Sequence, residues 1–188
     1  MDLGCPGMNW NDFQTVQEFA NSESLNIQSI YPLTPLQEGI LFESINNEND
    51  GYVIQAIFEF SDTLRISCLR GAIEKLFSMH EVLRTRILYD GLERPYQIIV
   101  KENNIDFQYY NCRNIKEKEY LEIIDQDKKN GILFGTDPLI RFKLFQLEER
   151  KHLLLMTYHH IIIDGWSTGV MLKDLTNIYN NKAMIVLL

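Results

Sequence analysis

The sequence has few cysteines, an excess of acidic over basic residues and no long hydrophobic run. Its three cysteines, Cys5, Cys68 and Cys112, are far apart, so neither a disulfide framework nor a zinc-ligand spacing is visible. Eighteen Lys and Arg against 26 Asp and Glu give a net charge of −8, which argues against nucleic acid as the main partner. Neither a membrane-spanning run nor a signal peptide is present. We therefore expect a cytoplasmic protein without nucleic-acid or membrane partners.

What remains is the composition of one ordinary globular domain. The chain has 188 residues, of which 45% are hydrophobic and 23% are charged, and this is enough for a sizeable core. From residue 52 onward, periodicity and turn signals predict strands and helices in the order βαβββαββα. This order favours an α/β fold of the α+β two-layer kind, in which a mixed β-sheet carries helices packed on one side.

The most informative segment is His159-His160-Ile161-Ile162-Ile163-Asp164-Gly165-Trp166-Ser167. It follows an apolar run, residues 153–158, that is typical of a buried strand, and it precedes a helical pattern. Because successive strand side chains point to opposite faces, His159 and His160 cannot both face one cavity. A neutral imidazole at a rigid strand end can take a proton from a nucleophile, so one histidine is expected to be chemical and the other structural. Periodicity leaves open which is which.

Two roles fit Asp164. It can orient the imidazole directly, or it can pair with a buried arginine and hold the turn in shape, because a buried carboxylate needs a partner. Arg84 and Arg86 share one face of a predicted strand over residues 83–89 and are the best candidates, although ordinary surface arginines fit the same pattern. Gly165 fits a turn that needs a positive φ or a close approach of the backbone.

A second clear pattern opens a helix near residue 35. Thr34 is a good N-cap, Pro35 suits the first helical position, and Gln37 completes a capping box. Gln37 has a second interpretation, in which its side chain points into a substrate channel. The predicted buried stripe of this helix is Leu36, Ile40, Leu41 and Ile45.

Three segments together resemble the condensation domain of nonribosomal peptide synthetases: Tyr31–Phe42, Met79–Ile87 and Tyr158–Ser167. The resemblance covers residues 28–181. It implies the N-terminal lobe of a fold similar to chloramphenicol acetyltransferase, in which two lobes surround a tunnel. Carrier proteins deliver phosphopantetheine-tethered substrates to this tunnel, where an acceptor amine attacks a donor thioester and an amide forms. The implied partners are carrier proteins and a C-terminal lobe, and the lobe itself is expected to bind no cofactor and no metal.

The resemblance also implies roles for individual residues. His160 is expected to be catalytic, either as general base or by positioning the nucleophile, and His159 to support the fold. Asp164 is expected to be mainly structural and to pair with Arg84, with Arg86 as the runner-up. Other expected site residues are Gly165, where the donor thioester approaches, and Gln37, Trp166 and Ser167 along the substrate channel.

The resemblance divides the chain into three parts. Residues 1–27 are expected to be a solvated leader or linker, although residues 11–20 show a short amphipathic pattern. Residues 28–182 form the lobe, and residues 183–188 are an apolar tail unlike the family's continuation. Because the second lobe is absent from the sequence, the chain alone is expected to have little or no activity.

Two other functions and one other kind of site remain as alternatives. A non-catalytic lobe would dock a carrier protein, and half of a coenzyme-A-dependent acyltransferase would use free thioesters, although the first motif argues against the latter. Metal binding by His159, His160 and Asp164 is disfavoured, because adjacent histidines on a strand diverge.

Overall fold

The computed structural model describes residue 5 and residues 7–47, 51–101 and 105–185. Every element predicted from residue 52 onward is present in the predicted order. One further strand, Ile27–Pro32, is present that the sequence does not predict. The elements are α1 (Trp10–Ser22), β1 (Ile27–Pro32), α2 (Pro35–Asn46), β2 (Val53–Phe60), α3 (Ile66–Met79), a 3-10 helix (Glu81–Arg84), β3 (Thr85–Leu88), β4 (Tyr96–Val100), β5 (Phe107–Asn111), α4 (Glu117–Lys129), β6 (Ile140–Glu148), β7 (Lys151–His159) and α5 (Gly165–Ile185).

The strands form two sheets. One is three-stranded and antiparallel, in the order β1-β4-β3. The other is four-stranded, in the order β2-β7-β6-β5, and it is mixed because β5 runs parallel to β6. β7 lies between β2 and β6 and is antiparallel to both. The predicted mixed α/β fold class is confirmed, with the strands divided between two sheets.

Helices cover both faces of the four-stranded sheet. Leu154 and Met156 of β7 belong to the main core, to which α3 and α5 contribute buried residues. Leu155 points to the opposite face and packs in a second cluster with Tyr120 and Ile124 of α4. The fold therefore differs in this detail from the predicted packing of helices on one side. The reason is that β6 and β7 are apolar on both faces, and both faces must then be covered.

α1 packs on the three-stranded sheet. Val16 is fully buried in a cluster with residues of β1 and β4. Asp12 is also buried, and it accepts hydrogen bonds from the hydroxyl of Tyr96 at 3.1 Å and from the backbone N–H of Glu93 at 3.0 Å. The interpretation of this segment as a solvated leader is therefore wrong: its short amphipathic pattern covers one face of a sheet.

α2 begins as the sequence predicts. Thr34 is the N-cap, and the reciprocal hydrogen bonds of a capping box are present. The buried stripe is narrower than predicted, because only Ile40 and Leu41 are buried. Leu36 is 75% exposed and Ile45 is 46% exposed, so two of the four apolar residues of the predicted stripe face outward.

A buried carboxylate joins α4 to the four-stranded sheet. The side chain of Asp127 is 1% exposed and accepts hydrogen bonds from Arg141 at 2.9 Å and from Thr157 at 2.6 Å. Lys143 pairs with the same carboxylate, and the amide of Gln55 donates to it at 3.1 Å. Burial raises the pKa of Asp127, but the hydrogen bonds from Arg141, Lys143 and Thr157 outweigh this effect and lower the pKa to about 2. Strands β2, β6 and β7 are thus all tied to α4.

α5 runs further than predicted. The sequence predicts a last helix over residues 168–180, whereas α5 spans Gly165–Ile185. The first three residues of the predicted apolar tail therefore belong to α5, and residues 186–188 lie outside the described residues. In the described part of the chain, no helix combines the length and the apolarity needed to cross a membrane. The domain boundaries and the cytoplasmic location stay predictions.

Candidate active site

β7 ends at the histidine pair, and hydrogen bonds to both neighbouring segments fix the backbone there. The N–H of His159 donates to the carbonyl of Leu139 at 2.9 Å, and the N–H of His160 donates to the carbonyl of Tyr52 at 2.8 Å. Leu139 immediately precedes β6, and Tyr52 immediately precedes β2. The alternation of an antiparallel strand therefore continues through both residues. It places the two imidazoles in different surroundings, since His159 is fully buried and His160 is half-buried.

His159 uses both of its ring nitrogens within the protein. Nδ1 accepts a hydrogen bond from the backbone N–H of Ile161 at 3.1 Å. A neutral ring then carries its hydrogen on Nε2, which lies 3.2 Å from the hydroxyl of Ser44. The ring stacks on Tyr52, with centroids 6.4 Å apart, and meets the ring of Phe134 at 4.7 Å. An imidazole enclosed in this way has no nitrogen free for a substrate.

Asp164 starts α5. Its side chain is exposed, and Oδ1 accepts a hydrogen bond from the backbone N–H of Ser167 at 2.7 Å, as an N-cap residue does. The hydrogen bond from the Ser167 backbone is the main cause that lowers the pKa of Asp164, and the nearby imidazole of His160 adds a smaller electrostatic effect. The carboxylate and the half-buried imidazole thus lie at the two ends of one turn.

The predicted ion pair between Asp164 and an arginine of the second motif is wrong. Arg84 ends the 3-10 helix instead of lying in a strand, and it donates to the carbonyl of Phe77 at 3.0 Å and to the side chain of Gln28 at 2.8 Å. Arg86 lies in β3, where desolvation lowers its pKa, and within the described residues its Nη1 atom has no hydrogen-bond partner. Asp164 faces solvent and caps α5, so its carboxylate needs no buried countercharge.

Gly165 and Trp166 begin α5 at an open surface. A Cβ atom at Gly165 would meet no protein atom of another segment within 4 Å, and the residue does not have a positive φ. The predicted need for a left-handed turn or a close backbone approach within this chain is therefore wrong. Trp166 is 91% exposed, and Ser167 is exposed beside it. This surface leaves room for a molecule that approaches from outside the lobe.

Gln37 links the first motif to the third. Its Oε1 atom accepts from the N–H of Thr34 at 3.0 Å, which completes the capping box. Its Nε2 atom donates to the carbonyl of Ile161 at 3.2 Å and to the side chain of Gln97 at 3.4 Å. Both the oxygen and the nitrogen of the side-chain amide therefore make hydrogen bonds, and the nitrogen binds the residue that follows His160.

Two contacts at the site were missed by sequence reasoning. Ser44 is 115 residues from its partner His159. His80, the C-cap of α3 in the second motif, pairs with Asp174 of α5 at 2.9 Å across 94 residues. No local pattern indicates such contacts. The first contact places α2 next to the histidine pair, and the second joins the end of α3 to the middle of α5.

The surroundings of the histidines include two concave regions. A cavity of about 580 Å³ lies on the side of His159 and is lined by Ser44 and Phe134. A smaller groove of about 200 Å³ lies between the 3-10 helix and the first turns of α5, with His80 and Ser167 at its walls. Within the described ranges, no group of three or more His, Cys, Asp or Glu side chains is arranged to hold a metal ion.

Comparison with known proteins identifies the family. A family model described as the Condensation domain matches residues 27–184. The chain belongs to the condensation-domain family. Among curated relatives, bacitracin synthase 3 of Bacillus licheniformis is 32% identical over 161 residues, which are 83% of this chain and 2% of that protein. Tyrocidine synthase 3 of Brevibacillus parabrevis is 34% identical over 157 residues, which are 82% of this chain and 2% of that protein. The chain thus spans about 2% of the length of these synthetases.

Solved structures show the same fold. The starter condensation domain of rhizomide synthetase has a TM-score of 0.74 at 15% identity, covering 81% of this chain and 39% of that one. A four-domain nonribosomal peptide synthetase bound to AMP and glycine has a TM-score of 0.72 at 17% identity, covering 82% and 12%. The resemblance to condensation domains and the chloramphenicol-acetyltransferase-like fold are therefore confirmed. Domains of this family are acyltransferases that act on phosphopantetheine-tethered substrates.

Proposed function

We propose that this chain is the lobe of a peptide-synthetase condensation domain that carries the histidine motif, and that it forms amide bonds. The amine of a carrier-bound acceptor attacks the thioester carbonyl of a carrier-bound donor. The new C–N bond forms, the C–S bond breaks, and the phosphopantetheine thiol leaves. The observation that carries the proposal is the contrast within the pair: His159 is enclosed and fully engaged, whereas His160 is half-buried at an anchored strand end.

His160 takes the proton that the amine loses as the C–N bond forms and gives it to the leaving sulfur, which departs as the thiol. Asp164 lies at the other end of the same turn, where the backbone N–H of Ser167 holds its carboxylate. A negative charge there stabilises the imidazolium that develops during proton transfer. Because Asp164 is exposed, water and salt weaken this stabilisation in the isolated chain. Excluding water from the site strengthens it.

A second lobe supplies the missing wall of the site. Two features support this part of the proposal. Trp166 is 91% exposed beside the open position of Gly165. The matched part of the rhizomide starter condensation domain is 39% of that chain, less than half of it. Without the wall, the site is open to water and loses preorganisation. The proposed partners are therefore a C-terminal lobe and two carrier proteins, and the chain alone is expected to be inactive.

The test is amide formation by the chain joined to the C-terminal lobe of a related condensation domain. Donor and acceptor carriers are loaded, and the tethered product is measured by mass spectrometry. We expect product from the joined protein, none from the 188-residue chain alone, and none from the His160→Ala variant with its fold preserved by circular dichroism. Product that persists in the variant would refute the role of His160.

Two outcomes would favour the alternative functions. If carriers bind the joined protein but no amide forms, the chain is a docking lobe and the catalytic proposal is overturned. If free coenzyme A thioesters replace the carrier-bound donor without loss of rate, carrier-dependence is overturned. A matched control is His80→Ala, which removes a histidine of the second motif that pairs with Asp174 instead of lying in the turn.

A further inference from the structure

The turn after His160 is held by hydrogen bonds at both ends of one residue, Ile161. The N–H of Ile161 donates to Nδ1 of the buried His159 at 3.1 Å. The carbonyl of Ile161 accepts from Nε2 of Gln37 at 3.2 Å. On the other side, the N–H of His160 is bound to the carbonyl of Tyr52 at 2.8 Å. The backbone on both sides of the His160 side chain is therefore anchored to separate parts of the fold.

Gln37 is the anchor that comes from the most distant segment. It lies 124 residues from Ile161, at the third position of α2. The start of α2 is itself fixed, because Oε1 of Gln37 and the hydroxyl of Thr34 exchange hydrogen bonds with each other's backbone. Gln97 of β4 lies 3.4 Å from Nε2 and donates to the carbonyl of Pro32, so the amide is also held from the three-stranded sheet. Ser44 of the same helix contacts His159 at 3.2 Å, and Gln37 adds a direct hydrogen bond from α2 to the backbone of the turn.

The two ends of the amide have different requirements. A capping box accepts glutamate as readily as glutamine at this position, and the helix dipole favours the negative charge. Only glutamine also has an N–H group that can donate to the carbonyl of Ile161. A carboxylate at Gln37 would place an acceptor opposite an acceptor at about the 3.2 Å separation now seen. The contact with Ile161, and not the cap, is what requires glutamine.

We propose that Gln37 is a positioning residue that sets the direction of the His160 side chain by holding the carbonyl of Ile161. The sequence-based assignment of Gln37 to a substrate channel stays a prediction. The inference rests on the proposed function insofar as His160 is the reacting group. The holding of the turn can be measured without any activity.

The first test is hydrogen exchange of the chain followed by NMR. The reporters are the amides of His160, Ile161 and Ile162, each of which donates a hydrogen bond in the turn. We expect the Gln37→Glu variant to exchange these amides at least about tenfold faster while the N-terminal amides of α2 stay protected. The matched control is Thr34→Ala, which weakens the cap and leaves the contact with Ile161. In this control, the first amides of α2 should exchange faster, and the exchange rates of the turn amides should stay unchanged.

A further variant guards against a general loss of folding. Gln37→Lys removes the acceptor for the cap and keeps an N–H donor that can reach the carbonyl of Ile161. We expect this variant to behave as Thr34→Ala does, with a weakened cap and a protected turn. The inference is overturned if the Gln37→Glu variant exchanges the turn amides at the wild-type rate. It is also overturned if the lysine and glutamate variants exchange them equally fast.

The second test uses the joined two-lobe protein. A misplacement of about 1 Å costs on the order of 100-fold in rate, so we expect Gln37→Glu to lower kcat at least tenfold, with KM for the donor within about twofold. Thr34→Ala should leave kcat within about twofold. A kcat for Gln37→Glu as high as for Thr34→Ala would overturn the inference. Unchanged activity in His160→Ala would instead refute the proposed function, and the exchange data would still decide whether Gln37 holds the turn.

Discussion

Replacing Asp127 by asparagine should destabilise the lobe strongly, because it removes the one charge on which several buried groups converge. The carboxylate is 1% exposed and binds Arg141 and Lys143 together. The Asp127→Asn variant would leave both cations largely desolvated without a countercharge. The amide could also keep only part of the set of hydrogen bonds that the carboxylate accepts from Thr157 and Gln55.

The magnitude follows from the pKa of Asp127. A decrease from 3.8 to about 2 corresponds to about 2 kcal/mol by which folding favours the ionised form. Removing one partner of a buried ion pair typically costs about 3–5 kcal/mol. We therefore expect the free energy of unfolding to fall by about 3 kcal/mol at neutral pH. Because the pKa is depressed on folding, the ionic contribution is fully present above about pH 4 and is lost as the pH falls towards 2.

The assay is urea denaturation followed by circular dichroism, at pH values from 7 to 2. The matched control is Asp125→Asn, two residues away on α4, where the carboxylate pairs with Lys129 at 2.6 Å on an exposed surface. Exposed ion pairs contribute about 0–1 kcal/mol, so the free energy of unfolding of the control variant should differ little from that of wild type. The difference in the free energy of unfolding between wild type and Asp127→Asn should become smaller below pH 4. A loss below about 1 kcal/mol, or a difference that does not depend on pH, would refute the reasoning.

Two further predictions concern the histidine turn. His159→Leu should lower the free energy of unfolding by about 2–3 kcal/mol in the same assay, since it leaves the buried N–H of Ile161 without an acceptor; a loss below about 1 kcal/mol would contradict this. Asp164→Asn should change stability by less than about 0.5 kcal/mol because asparagine also caps helices, whereas Asp164→Ala should cost about 1 kcal/mol. A large loss in the asparagine variant would instead indicate that Asp164 acts through an ion pair.

Local patterns were sufficient to predict the parts of the fold that local chemistry determines. The capping box at Thr34 and Gln37 depends on residues three positions apart, and it is present as predicted. β7 was visible as an apolar run because a strand buried on both faces has no polar side. The divergence of His159 and His160 was predicted from strand alternation alone, and the two residues do differ in burial.

Contacts between distant segments were not predictable in the same way. The sequence predicts that Arg84 lies in a strand and pairs with Asp164, but the 3-10 helix turns its side chain towards Phe77 and Gln28. Nothing near Arg84 in the sequence signals those acceptors. Asp164 was expected to be buried, yet a capping carboxylate at a helix start needs only its own helix as a partner. The packing of α1 depends on a sheet of which two strands, β3 and β4, lie far along the chain.

The pairing of β2 with β7 sets the order in which the chain can fold as it is made. Val53 lies opposite His159, so β2 leaves the ribosome about a hundred residues before its partner. At roughly 5–20 residues per second, that delay lasts on the order of ten seconds, during which β2 lacks its partner strand β7 and neither of its edges is paired. The bond from the N–H of His160 to the carbonyl of Tyr52 closes only after this wait. The histidine turn is therefore among the last parts of the lobe to form, and an interrupted chain would expose β2 without ever carrying the motif.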